Sequence, residues 1–122
     1  MGRIPVLIYR EEDGSAPFLD WFEKLSEKAQ DKCRVRIERL ATLGHELRRP
    51  EADVLRDGIY ELRVRLRTTN YRILYFFHGR TAAVLSRGVI KEDRVPANEI
   101  DRAINRKYQF NGHPARHTFA ED

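Results

Sequence analysis

The feature that most constrains the fold is a change of hydrophobic period at residue 59. In the run IYELRVRLR at 59–67, apolar and charged side chains alternate strictly from Tyr60 onward. Side chains of a strand point alternately to its two faces, so this period of two predicts a strand with one apolar face and one face in water. The chain must therefore build a sheet, with at least one covered side.

More strands are predicted on either side of this one. Residues 71–77 (YRILYFF) are apolar on both faces apart from Arg72, which is typical of a central strand covered on two sides. Residues 81–89 continue the sheet after a short turn. The apolar run IPVLIY at 4–9 ends at a turn-rich segment and predicts a strand near the start of the sequence.

Apolar residues at helical spacing predict three helices. The first is expected to begin with Ser15 as its N-cap. The second runs from an N-cap at Ser26 to a C-cap at Gly44, and the third begins near Pro96. Because only a short connection separates the first two helices, we expect them to form an antiparallel pair.

Two segments show no regular period. The charged segment 45–58, which contains Pro50, is interpreted as a surface loop with Val54 and Leu55 turned inward. Residues 109–122 are interpreted as a polar tail, either loop or disordered. The predicted fold is thus α+β, with an N-terminal strand, an antiparallel helix pair, a three-stranded antiparallel meander and a C-terminal helix in a single domain of residues 1–108.

Composition excludes several classes of protein. The single cysteine, Cys33, cannot form an internal disulfide, and no run approaches the roughly 18 apolar residues of a membrane span. No signal-peptide pattern is present, so a cytoplasmic protein without a membrane partner is expected. His113 and His117 are four residues apart, but Pro114 between them argues against a metal-binding helix. No cofactor motif is present, and none is expected to bind.

Positive charge is concentrated in the predicted meander. The chain has 23 Lys and Arg against 19 Asp and Glu, and residues 59–91 include seven of these cations but only one acid, Glu61. An imbalance of this kind favours a polyanionic partner.

The predicted hairpins would align arginines in a row. A hairpin with its tip at 68–69 places Arg65 opposite Arg72, and a two-residue turn at 79–80 places Arg72 opposite Arg87. Like charges facing each other on a sheet cost about 0.2–1 kcal/mol per pair, so the row indicates a site where guanidinium groups bind phosphate. The alternative is a solvated sheet face whose arginines pair with nearby acids.

Two segments resemble motifs of the RelE/ParE toxin superfamily. They are DGIYELR at 57–63 and YRILYF at 71–76, and the predicted order of elements also agrees. The resemblance extends over about residues 6–106 and is closest to the HigB-like, phage-related branch. It implies the toxin of a type II toxin–antitoxin system, commonly a ribosome-dependent mRNA endonuclease. A ParE-like inhibitor of DNA gyrase and a catalytically inactive, phage-derived binding module of the same fold are the alternatives.

The resemblance also implies which residues act on RNA. In RelE-like proteins the positions that match Arg63 and Arg72 line the RNA site. Metal-independent attack by the 2′-hydroxyl needs a proton acceptor, a proton donor and cations that stabilise the phosphorane. We therefore predict that Arg63, Arg72 and Arg87 bind and stabilise phosphate. Lys91 is predicted to transfer protons, because neighbouring arginines would disfavour its charged form.

Other side chains are candidates for supporting roles. Glu92 or His78 could transfer protons in place of Lys91. Further contacts to RNA are expected from Arg65, Arg67 and Arg94. The expected partners are mRNA, the ribosome and a cognate antitoxin, a helix-turn-helix protein with an acidic segment that covers the cationic face.

Overall fold

A computed structural model describes residues 2–91 and 93–120. Within these ranges, the chain forms a mixed α+β fold, which confirms the predicted class. In chain order, its elements are β1 (Val6–Ile8), α1 (Pro17–Phe22), α2 (Glu27–Leu43), a 3₁₀ turn (Gly44–Glu46), β2 (Ala52–Arg56), β3 (Ile59–Leu66), β4 (Thr69–His78), β5 (Ala82–Ile90) and α3 (Ala97–Gly112).

The strands form a single five-stranded sheet in the order β1-β5-β4-β3-β2. The predicted meander is its centre, with antiparallel pairing of β3 to β4 and of β4 to β5, while β1 pairs parallel to β5. Residues 71–76 of β4 are all buried. The apolar run in this segment therefore does form the central strand, as predicted.

Helices cover both faces of the sheet. On one face, Cys33 and Leu40 of α2 belong to a core that also contains Leu62 and Ile73 of the sheet. On the other face, residues of α3 pack in a second core, where the ring of Phe110 meets that of Phe76 at 5.8 Å. The two cores exclude water from the middle of the sheet. A charged side chain there must therefore pair with another group of the protein.

Helix boundaries follow the predicted caps with one exception. The Ser26 hydroxyl accepts a hydrogen bond from the Ala29 amide at 3.2 Å, and Gly44 ends α2 with a positive φ of 54°. The third helix begins directly after Pro96. The prediction of Ser15 as an N-cap is wrong, because its hydroxyl donates to the Asp13 carboxylate and α1 begins two residues later.

The predicted surface loop at 45–58 contains a strand instead. Residues 52–56 form β2, which pairs antiparallel with β3 and places Ala52 opposite Leu62. The prediction that Val54 turns inward is wrong, since it is 55% exposed on this edge strand. The sequence did not reveal β2 because this strand forms by pairing with β3, and its own residues show no clear alternation of apolar and polar side chains.

The predicted polar tail is also ordered where it is described. Helix α3 continues through Phe110, which is buried, and the segment 113–120 folds back along β1. Within that segment His117 is buried and stacks on Tyr9 with ring centroids 5.2 Å apart. The Phe119 amide donates to the Ile8 carbonyl at 2.8 Å. Buried rings and main-chain hydrogen bonds to the β1 region together order this polar segment.

Among the described residues, no helix is long and apolar enough to span a lipid bilayer.

Candidate functional site

The first hairpin pairs its arginines differently from the predicted row. Arg63 lies opposite Arg72, and Arg65 lies opposite Asn70. The tip is at 67–68, because Arg67 adopts the left-handed conformation with φ of 58°. The predicted pairing of Arg65 with Arg72 is wrong by two residues, but an even shift leaves each side chain on its predicted face.

The second hairpin separates Arg87 from Arg72. Its turn has three residues rather than the predicted two, since His78 pairs with Ala82. A bulge then skips Ser86 and shifts the register, so that Arg87 lies opposite Leu74. The predicted pairing of Arg72 with Arg87 is therefore wrong. Arg72 lies opposite Val89 instead.

Arg87 lies in a different environment from the other predicted arginines. It pairs with Glu99 of α3 at 3.1 Å and lines a separate hollow with Trp21 and Arg106. The predicted row of three arginines across three strands is therefore reduced to one close pair, Arg63 and Arg72.

A single buried carboxylate lies between that pair. Arg72 Nε is 3.3 Å from Glu61 Oε1, and Arg63 Nε is 3.7 Å from Glu61 Oε2. The side chains of Glu61 and Arg72 are only 8% and 9% exposed. The face predicted to be in water is thus buried at Glu61, and one acid serves two guanidinium groups.

Burial dominates the electrostatics of this group. Desolvation raises the pKa of Glu61, and the charges of Arg72 and Arg63 oppose that rise. Arg72 Nε is buried without a hydrogen-bond partner among the described residues, so its contact with Glu61 is a Coulombic one. The three side chains together keep an excess positive charge in a poorly solvated position.

The arginine pair opens onto a cationic hollow of about 620 Å³, which we call the edge hollow. It lies beside the end of β3, where Lys32 of α2 donates a hydrogen bond to the Arg65 carbonyl at 3.2 Å. Its five cations face one acid, Glu51, which accepts two hydrogen bonds from Arg39 and lies 3.9 Å from Arg36 Nε. The lining residues are Lys32, Arg36, Pro50, Glu51, Arg63, Val64, Arg65, Asn70 and Arg72.

A second hollow of about 310 Å³, which we call the carboxylate hollow, shares the same arginine pair. It contains Glu61 and Asp53, and Asp53 pairs with Arg49 at 2.7 Å. The hydrogen bond from Arg49 lowers the pKa of Asp53, as the bonds from Arg39 lower that of Glu51. The lining residues are Arg49, Asp53, Leu55, Glu61, Arg63, Arg72, Asp93, Arg94 and Val95.

The structure brings some of the predicted site residues together and leaves others apart. Arg63, Arg65, Arg72 and Arg94 line one or both hollows. Arg67 lies exposed at the tip of the first hairpin, where its carbonyl accepts a bond from Arg65.

The candidates for proton transfer are more scattered. Lys91 is exposed and lines neither hollow, although its amide donates to the Asn70 carbonyl at 3.1 Å. His78 lies at the end of β4, within 3.1 Å of the Asn111 side chain and against the ring of Phe110. Glu92 lies outside the described residues.

Sequence reasoning missed the contributions of α2 and β2. Lys32 and Arg36 are four residues apart and so share a helix face, which is a usable signal once α2 is placed next to β3. Arg49 and Asp53 were hidden in the segment interpreted as a loop. Among the described residues no group of three or more histidine, cysteine or acidic side chains could hold a metal ion.

The fold and the site define a small α+β protein with an arginine pair, a buried carboxylate and a cationic hollow at the edge of the sheet. A family model described as phage-derived protein Gp49-like (DUF891) matches residues 20–108, which is more than half of the chain. The protein belongs to this family, which is part of the RelE/Gp49 toxin-like family. No curated protein matches the sequence.

Proposed function

We propose that this protein is the toxin of a type II toxin–antitoxin system, of the HigB-like branch, and that it cleaves mRNA on the ribosome without a metal. The observation that carries the proposal is the arginine pair, Arg63 and Arg72, which faces both hollows from adjacent strands. Membership of a phage-derived, toxin-like family supports the toxin role.

The charge balance of the edge hollow suits an RNA backbone. A single carboxylate, Glu61, cannot neutralise both Arg63 and Arg72, and Lys32, Arg36 and Arg65 add further cations around them. The guanidinium group of an arginine can bind two phosphate oxygens at once, and it also stabilises the negative charge that develops on a phosphorane. We assign the scissile phosphate to the arginine pair and flanking phosphates to the other cations.

The remaining predicted residues have weaker support. Arg87 pairs with Glu99 outside both hollows, so the proposal gives it no direct contact with the scissile phosphate. Arg94 lines the carboxylate hollow and is proposed to contact RNA there, whereas Arg67 would reach it from the hairpin tip. Lys91 stays a candidate proton donor, to be tested by Lys91→Gln.

A second candidate function is the catalytically inactive binding module. It is favoured by acids of the same chain that form ion pairs with these arginines. Glu61 pairs with Arg63 and Arg72, and Glu99 pairs with Arg87. In that case the cationic hollows would bind a polyanion without cutting it.

The proposed inhibitor is a cognate antitoxin with a helix-turn-helix domain and an acidic segment. The edge hollow offers such a segment the same cations that we assign to RNA. Binding there would exclude mRNA directly, because both partners would compete for one positive surface.

Expression in an inducible bacterial host tests the proposal. Wild type is expected to arrest growth with rapid, translation-dependent loss of transcripts. Arg63→Ala, at a side chain that is 30% exposed, is expected to abolish the arrest without unfolding the protein. Arg80→Ala, at an exposed turn, is the matched control and should stay toxic.

Other outcomes of the same experiment identify the rivals. Relaxed or broken DNA with intact transcripts would support the gyrase inhibitor. A wild-type protein that binds RNA without affecting growth would support the inactive module. Equal toxicity of Arg63→Ala and wild type would refute the role of the arginine pair.

A further inference from the structure

Cleavage by the 2′-hydroxyl needs a proton acceptor close to the bound phosphate, and neither of the described residues predicted for that role lines a hollow. Lys91 lines neither hollow, and His78 is held against Phe110 and Asn111 at the end of β4. A proton acceptor must come within about 3 Å of the reacting hydroxyl, directly or through one water. The acids that line the hollows are therefore the groups to compare.

Most of these acids are poor proton acceptors. Glu51 accepts two hydrogen bonds from Arg39, at 2.8 and 2.9 Å, and Asp53 accepts one from Arg49 at 2.8 Å. Charge-assisted hydrogen bonds stabilise the ionised carboxylate and weaken it as a base. Asp93 is exposed, so water reaches its carboxylate directly.

Glu61 differs from them in burial and in position. Its side chain is 8% exposed, so little water stabilises its charge. Its two oxygens face the two arginines of the pair, one oxygen toward each guanidinium. It also lines the carboxylate hollow, which gives it access to a molecule bound there.

We propose that Glu61 is the catalytic proton acceptor for RNA cleavage at this site. This inference rests on the function proposed above and deepens it. The 2′-hydroxyl lies on the ribose that carries the scissile phosphate, so a base in contact with the phosphate-binding arginines is also close to that hydroxyl. When phosphate binds, it takes over contacts that Arg63 and Arg72 make with the carboxylate, which leaves the carboxylate free to accept a proton.

The step balances without a metal or a second reactant. The 2′-hydroxyl proton moves to a Glu61 oxygen while the 2′-oxygen forms a bond to phosphorus. The bond from phosphorus to the 5′-oxygen breaks, and the departing oxygen takes a proton from water. Glu61 then returns its proton to the hydroxide so formed. The products are a 2′,3′-cyclic phosphate and a 5′-hydroxyl end.

The test measures single-turnover cleavage of ribosome-bound mRNA between pH 5 and pH 9. Glu61→Gln is expected to slow cleavage by about 10²–10⁴-fold and to remove the rise in rate at the acidic end of the profile. Its affinity for RNA with a 2′-O-methyl group at the cleavage site should stay within a few-fold of wild type. Glu11→Gln is the matched control, since this partly buried acid also pairs with an arginine, Arg106 at 3.2 Å.

Two further variants keep the inference falsifiable if Glu61→Gln folds poorly. Glu61→Asp retains a carboxylate and is expected to retain the acidic limb at a reduced rate. Loss of that limb in Glu61→Asp, with RNA binding intact, would overturn the inference. So would its loss in Lys91→Gln combined with its retention in Glu61→Gln.

Failure of this inference and failure of the proposed function give different results. Wild type that cleaves, together with Glu61→Gln that cleaves within threefold of it, would remove only the role of Glu61. Wild type that binds 2′-O-methyl RNA but cleaves no mRNA at any pH would remove both.

Discussion

The buried ion pair between Glu61 and Arg72 predicts an unequal cost for removing its two members. Glu61→Leu leaves the Arg72 guanidinium 9% exposed and without an acid, and arginine cannot lose its charge inside a protein. Breaking a buried pair in this way costs about 3–5 kcal/mol. Arg72→Met should cost less, about 1–3 kcal/mol, because Glu61 keeps Arg63 at 3.7 Å and can also take up a proton.

The double variant measures the coupling between the two side chains. Replacing a buried ion pair by apolar groups of similar volume is often neutral or stabilising. We therefore expect the free energy of unfolding of the double variant, Glu61→Leu with Arg72→Met, to lie within about 1 kcal/mol of that of wild type. This loss is much smaller than the sum of the losses in the two single variants. Urea denaturation at pH 7, with fluorescence and circular dichroism as coincident probes, gives the four free energies of unfolding.

Two results would refute this reasoning. The first is a larger loss of stability in Arg72→Met than in Glu61→Leu. It would mean that burial without a partner is more costly for the carboxylate than for the guanidinium group. The second is simple additivity in the double variant, which would mean that the two charges do not interact.

The remaining predictions concern pH, packing and capping. Burial raises the pKa of Glu61 above its unfolded value of 4.5, so at this group the native state holds more protons, and its contribution to the free energy of unfolding should fall as pH rises between the two values. Because Glu51 and Asp53, whose pKa values are lowered, contribute the opposite slope, the test is the difference between wild type and Glu61→Gln in urea titrations, which should fall over this range. Gly88→Ala should lower the free energy of unfolding by about 1–3 kcal/mol, because a Cβ there would overlap the Trp21 ring. Gly112→Ala is the control, since a Cβ there meets open space and should change stability by less than about 0.5 kcal/mol. Thermal denaturation compares the two variants. Ser26→Ala removes the cap of α2 and should cost about 1 kcal/mol, measured by urea denaturation; no loss would mean that the cap is replaced by water.

The sequence predicted elements whose signal is local. The alternation at 59–66 and the run at 71–77 that is apolar on both faces identified β3 and β4, because the burial of one or both faces of a strand determines which of its positions are apolar. The caps at Ser26 and Gly44 were found for the same reason, since each acts within its own helix turn.

The errors arose where structure depends on distant parts of the chain. Strand β2 exists because β3 offers it an edge, and its own segment reads as polar. The hairpin register moved because Arg67, which has no turn signature, adopts a positive φ at the tip, and because a bulge skips Ser86. The second hairpin also has a three-residue turn, and this turn together with the bulge removed Arg87 from the predicted row.

The candidate site was predicted in part for related reasons. Residue type and strand parity were enough to put Arg63 and Arg72 on one face. Glu61 was expected in water because alternation with apolar neighbours usually means exposure. Its burial follows from neighbours that are distant in sequence, namely residues of β2, Arg72 of β4 and the segment 93–95, which a period of two in β3 cannot reveal.

The first strand of the sheet has a consequence for synthesis on the ribosome. Val6 pairs with Ala83, and Tyr9 bridges to Thr118, so β1 has no partner strand until the chain has been translated through β5. Contacts so distant in sequence form late and slowly. The nascent protein should therefore pass through a stage in which β1 is unpaired, and the arginine-bearing hairpins would be complete before the sheet is closed at its far edge.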